Sequence, residues 1–320
     1  MTMTTQTAEA VPVDTPVPGR RRRIALPPMT GKLAAGLIIG GVIVLFGLIG
    51  PFFVQDPSRV SDIGLSGPSS EHLLGTTQTG QDVLAQLAYA TRGSLLVGLI
   101  VGVLTLILSA FFGIVGAYAG GWVDEAFSLF TNIMLVIPGL PVVIVISAYV
   151  PDKSILLVSV VLAITSWAGS ARVLRGSTLS LRSRDYVLAC RVAGEKRWRI
   201  LLVEILPNLI PLLASQVVFA VIFAILGEAG LSYLGLGASG SFTWGTMLYY
   251  AQNGLALRLG AWWWFVPPGL LLALFGAALS LVNFSIDEII NPKLRNQTRA
   301  ARRGWRMSRE QLRKAKESTL

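Results

Sequence analysis

The sequence predicts an all-α membrane protein with six transmembrane helices. Three observations carry that prediction. Of 320 residues, 53% are hydrophobic and only 14% charged, and the mean hydropathy of +0.64 lies outside the soluble globular range. Six apolar runs are each long enough to cross a bilayer core, which takes roughly 20 residues of helix. Lys and Arg are segregated into alternate connections between those runs. Lipid offers the backbone no hydrogen-bond partners, so helices are the default spanning element.

The elements follow in order. Residues 1–30 are polar, then Pro-rich, then basic, and are expected to be disordered. The first apolar run, 33–54, is too long for a signal core and reads as a retained anchor. A polar connection, 55–91, leads to runs 94–119 and 125–150, joined by a turn at 120–124. Asp124 and Glu125 are expected to cap a helix N-terminus there. Asn132, Pro138 and Pro141 lie in the third run, where they can bend it and line a cavity. Run 154–174 comes next, then a polar insert, then run 207–227 with Pro207 in its first turn. Glu228 follows near the outer end of that run. An ionisable group at such depth is a functional candidate, with hydrogen bonding inside the adjacent Gly-rich turn as the structural alternative. A Gly- and aromatic-rich connection, 231–260, precedes Trp262, Trp263 and Trp264, an interfacial belt opening the last run, 261–284. Residues 291–320 form a basic tail. The division is therefore a tail at 1–30, the first span with its outer segment at 31–90, a core of five spans at 91–290 that carries the insert loop at 181–206, and a second tail at 291–320.

With the N-terminus inside, 23 Lys and Arg residues fall on the cytoplasmic side, and four (Arg59, Arg92, Lys153, Arg258) fall outside. That bias orients the chain with both termini in the cytoplasm. It also accounts for the net charge of +10 as attraction to an anionic leaflet, with no nucleic acid required. The single cysteine, Cys190, excludes an intrachain disulfide, and the single histidine, His72, argues against a histidine metal site and reads as a surface residue. Gly98, Gly102, Gly113, Gly116 and Gly120 recur on a small-residue face suited to close helix approach.

The insert is the most informative stretch. A helix-compatible run, 186–193, is broken by Gly194, and a second run, 195–206, leads to Pro207. This predicts two short helices at an angle across the cytoplasmic ends of the spans, with Gly194 making the bend.

At these residues the chain resembles the permease subunits of ABC importers. Leu188-Ala189-Cys190, three residues and Gly194 are similar to their EAA loop, with Leu188 in place of the Glu. Glu204-Ile205-Leu206-Pro207-Asn208 resembles the loop's ending in the peptide-importer branch, where that Glu is commonly missing. Further stretches match in order: His72-Leu73-Leu74-Gly75-Thr76 with Gly80-Gln81-Asp82, Arg92-Gly93-Ser94-Leu95, Gly227-Glu228, Leu231-Ser232-Tyr233-Leu234-Gly235-Leu236-Gly237 with Trp244-Gly245, and the close from Asn283 through Asp287 to Arg295. The resemblance covers about residues 30–295.

It implies the type I importer permease fold, with coupling helices between the fourth and fifth spans. It also implies a second permease subunit as heterodimer partner, two ATP-binding cassette ATPase subunits, an extracytoplasmic substrate-binding protein and a bacterial cell membrane. By the same resemblance, Asp185, Ala189, Cys190, Arg191, Gly194, Glu195, Lys196, Arg197 and Pro207 are expected to couple to the ATPase. Asn132, Pro138, Pro141 and Glu228 are candidates for the pathway. Peptides are the expected cargo, ahead of nickel complexes and glutathione-like peptides. No phosphate-binding G-x-x-x-x-G-K-[ST] loop occurs in the chain, so no cofactor is expected on it, and ATP and Mg belong to the partner subunits. An ion-coupled transporter would want ionisable groups at mid-span, where there are almost none, and an intramembrane Ser–His hydrolase would want a histidine in a span.

Overall fold

A computed structural model describes residues 31–150, 153–238 and 240–290. The two tails expected at 1–30 and 291–320 lie outside the described residues. Nine helices organise the rest: α1 (Gly31–Ile49), α2 (Val83–Ala119), α3 (Gly121–Val136), α4 (Gly139–Tyr149), α5 (Ile155–Arg182), α6 (Asp185–Val192), α7 (Arg197–Tyr233), α8 (Trp244–Asn253) and α9 (Trp262–Ile290). Among the described residues α1, α2, α5, α7 and α9 are each long and apolar enough to span a membrane, and α3 with α4 forms a sixth, broken span. The all-α, six-span class is the one the sequence predicts.

The third span is not one helix. Its halves meet at 75°. Pro138 explains the break: its ring disfavours helical geometry in the residue before it. Ile137 is accordingly extended (φ −68°, ψ 121°), and so is Pro138 (φ −70°, ψ 105°). Pro141 falls in the first turn of α4, where a missing N–H costs nothing.

Other boundaries move for local reasons. Helix α2 starts at Val83, capped by the Asp82 carboxylate, which accepts from the Ala85 amide at 2.8 Å. The polar residues Gln86, Thr91 and Arg92 therefore belong to a helix, and not to the outer connection. The second insert helix expected at 195–206 is not separate. It is the foot of α7, which runs unbroken through Pro207. A π turn at Ile200–Ile205, where the Leu206 amide bonds to Leu201 O, widens the helix just before the proline. Widening at this point relieves the clash between a proline ring and the preceding turn. At 37 residues, α7 is roughly 55 Å long at 1.5 Å per residue.

Helix α2 packs against α5 and α7, and α1 packs against α9. The glycines expected on one face serve several partners. Gly98 and Gly102 admit Val221 and Ile225 of α7, Gly116 faces Phe127 of α3, and Gly120 makes the turn before α3. A Cβ at Gly113 would lie 2.5 Å from the Ala171 carbonyl of α5. His72 is buried, not on the surface: its Nδ1 lies 2.7 Å from Oδ2 of Asp82, at the N-cap of α2.

Candidate functional site: the insert and the cavity above it

The insert is built on a helix-terminating turn. Helix α6 ends at Val192 with Ala193 as its C-cap, and Gly194 takes φ +77°. The Gly194 amide bonds to Arg191 O and the Glu195 amide to Cys190 O, both at 3.1 Å. This is the Schellman arrangement, which satisfies the last carbonyls of a helix and requires a left-handed residue. The chain then re-enters helix at Lys196, whose carbonyl accepts from Arg199 and Ile200.

Helix α6 is seated by one side chain. Val187 is fully buried in a cluster with Ile114, Leu174, Ile200, Ile205 and Leu209, and Cys190 packs at its edge. Ile114 lies in a second π turn, Ala110–Val115 of α2, so both widened turns meet under the insert helix. Facing solvent are Ala189, Leu188 (44% exposed) and Val192 (91% exposed). Leu188 and Val192 are four residues apart and therefore share a face. Asp185 sits in the first turn of α6, where a carboxylate favours the helix dipole. Glu195 pairs with Arg199. The Arg191 guanidinium lies over the Tyr118 ring, 5.8 Å from its centroid. Gly194, Lys196 and Arg197 are exposed, and Pro207 lies just after the α7 π turn.

Two polar ties join α3 to α5. Asp124 does not cap α3, whose N-cap is Gly120. Instead its two carboxylate oxygens accept from Nε and Nη2 of Arg175, and Asn132 Oδ1 accepts from Arg172 at 3.1 Å. Arg172 and Arg175 are helical residues of α5.

Above the insert, the α3–α4 bend, α5 and α7 enclose a cavity of about 680 Å³, a volume typical of small-ligand sites. Its walls include Leu135, Leu140, Phe219 and Phe223, with Thr165, Ser166, Ser170 and Gln216 as polar groups and no charged residue. Thr165 and Ser166 donate their hydroxyl protons to carbonyls of their own helix, so what they offer the cavity is acceptor capacity. These residues were not legible in the sequence, where Ser and Thr in apolar runs carry no distinguishing signal. Pro138 makes the adjoining bend, while Asn132, Pro141 and Glu228 do not line the cavity.

Glu228 is buried at the far end of α7. Its Oε1 accepts from Ser232 at 2.5 Å and from Thr243, the N-cap of α8, at 2.7 Å. Trp244 extends the network to α2: its amide donates to Ser94 Oγ and its indole N–H to Thr91 Oγ1, both at 3.0 Å.

The family described as "Binding-protein-dependent transport system inner membrane component" matches residues 109–296. The chain is 33% identical over 273 residues to the dipeptide transport system permease protein DppC of Bacillus subtilis, covering 82% of this chain and 83% of that one. It is 33% identical over 272 residues to the oligopeptide transport system permease protein OppC of the same organism, covering 83% and 87%. With the OppC protein of Mycobacterium tuberculosis it shares 30% identity over 240 residues, 74% of this chain and 81% of that one.

Proposed function

The chain belongs to the binding-protein-dependent transport system inner membrane component family, a family of multi-pass permease subunits, and from that premise we propose that it forms half of the pathway of an ATP-driven peptide importer. The observation carrying this reading is the insert helix α6, seated on α7 through Val187 while Leu188 and Val192 face solvent. On this reading α6 docks in a groove of a cytoplasmic ATPase, with Leu188 and Val192 as apolar contacts and Ala189 allowing close approach. Asp185, Lys196 and Arg197 serve as polar contacts at the rim. Both termini lie in the cytoplasm, two ATPase subunits bind ATP and Mg, and an extracytoplasmic binding protein delivers the cargo. A second permease supplies the facing wall.

The mechanism is a two-state lever. Closure of the ATPase dimer displaces α6, Gly194 and Lys196 pass the motion to the foot of α7, and α7 carries it to the opposite face. A conformational change of this kind needs a ligand that favours one state, and ATP in the partner is that ligand. The uncharged cavity beside the Pro138 bend gives the cargo apolar contact and hydroxyl acceptors without selecting for side-chain charge. Such tolerance suits peptides, the substrates named for the relatives.

The test is reconstitution with the partner permease, both ATPases and the binding protein in proteoliposomes. Uptake of labelled dipeptides and oligopeptides is expected only with ATP inside and binding protein outside. Uptake driven by a proton gradient without ATP contradicts the proposal.

A further inference from the structure

A second hollow, of about 400 Å³, opens on the insert face. Its walls include Tyr118, Arg182, Arg191, Glu195 and Arg197. The charges do not balance. Glu195 is already paired with Arg199, and Arg182 donates to the Ala117 carbonyl at 2.7 Å. Neither Arg191 nor Arg197 has a carboxylate partner among the described residues. A concave surface carrying unbalanced charge of one sign concentrates the counter-ion.

The depth of the hollow is set by the helices around it. Ala119 ends α2, Arg182 ends α5 and Arg197 begins α7, all three of them helices able to span a bilayer. Three candidate spans therefore terminate around the hollow. Two tryptophans adjoin it in sequence: Trp122, 77% exposed, follows Gly121 of the rim, and Trp198, 61% exposed, follows Arg197. Exposed tryptophan flanking span ends marks the interface between hydrocarbon and water.

We infer that this hollow binds the phosphate headgroup of an anionic phospholipid, with Arg191 and Arg197 holding the phosphate and Arg182 completing the positive wall. Guanidinium groups suit this ligand because they donate in pairs to phosphate oxygens. Since Arg191 is one turn from Gly194, an occupied hollow tethers the insert helix to the membrane surface. The binding assignment shares Arg197 with the reading of α6 as an ATPase contact, and lipid counted on the chain without its ATPase tests it separately.

The experiment uses the full chain in nanodiscs containing phosphatidylcholine and phosphatidylglycerol, with lipid retained after detergent extraction counted by native mass spectrometry. Wild type is expected to retain phosphatidylglycerol preferentially, and R191Q/R197Q to retain it at least about tenfold more weakly, as the loss of two interfacial charges predicts. R191K/R197K keeps the charge and is expected to retain most of the binding. R184Q removes one charge from the start of the insert helix, outside the hollow, and is expected to behave as wild type. Equal retention by wild type and R191Q/R197Q, or equal loss in R184Q, overturns the inference. So does displacement of the lipid by millimolar inorganic phosphate, which would make the free ion the ligand. The same holds if R191Q/R197Q loses the ATPase in co-purification while keeping its lipid.

Discussion

Arg175 and Asp124 form a two-pronged ion pair across the α3–α5 boundary. Arg175 Nε donates to Oδ1 at 2.7 Å and Nη2 donates to Oδ2 at 3.0 Å. The side chains are only 33% and 15% exposed, so the pair is better shielded than a surface bridge, yet not dry. It fixes the lower half of the broken third span against the helix that leads into the insert. On the proposed lever, motion of the insert reaches the Pro138 bend by this short polar route as well as along α7.

Removing one partner leaves the other charge partly buried and unpaired. Arg175→Ala and Asp124→Ala are each expected to destabilise by about 1–2 kcal/mol, and the double variant by less than their sum. Thermal unfolding of the four proteins in detergent checks this. Additive losses would show that the pair contributes nothing.

Glu228 fastens the far end of α7 to the N-cap of α8 through Thr243. Glu228→Ala strands two buried hydroxyls and is expected to cost about 1–3 kcal/mol, read as a lowered unfolding temperature. Glu228→Gln keeps an oxygen acceptor at the same place and is expected to recover most of the loss. If Glu228→Gln abolishes peptide uptake in the assembled importer while its unfolding temperature holds, the carboxylate acts in transport and not as a fastener.

Gly113 and Gly176 make a matched comparison. A methyl group at Gly113 meets the Ala171 backbone, whereas nothing lies within 4 Å of one at Gly176. Gly113→Ala is expected to push α2 from α5 at a cost of about 1–3 kcal/mol. Gly176→Ala is expected to be neutral or slightly stabilising. Unfolding temperatures of the two variants decide it.

Gly194 has open space around it but φ +77°. Gly194→Ala is expected to strain the turn by about 1–2 kcal/mol, and Gly194→Pro to break it, since proline has neither the φ nor the N–H used by Arg191 O. In the assembled importer the proline variant should hydrolyse ATP with little peptide uptake while still inserting in membranes. Uptake at the wild-type rate would count against the lever.

Much of this was legible because its causes are local. Apolar runs longer than a bilayer is thick, a glycine between two helical runs and Pro138 within a span all act on their neighbours in the chain. What was missed depends on partners far away in sequence or on backbone register. Asp124 looks like a capping residue until Arg175, 51 positions on, arrives beside it. His72 looks like a surface residue until Asp82 folds against it. Pro207 looks like a helix start because a π turn that accommodates it leaves no mark in composition. Leu188, in place of the acidic residue of the EAA pattern, reads as a departure. The fold makes it, with Val192, an exposed apolar pair on the insert helix.

That pair allows the most direct measurement. A photo-crosslinking amino acid in place of Val192, in the importer assembled with its partners in nanodiscs, should give an adduct with the ATPase subunit. Its yield should change when a non-hydrolysable ATP analogue closes the ATPase dimer. Adducts with lipid alone, or an ATPase adduct indifferent to nucleotide, would contradict the claim that this helix receives the work of ATP binding.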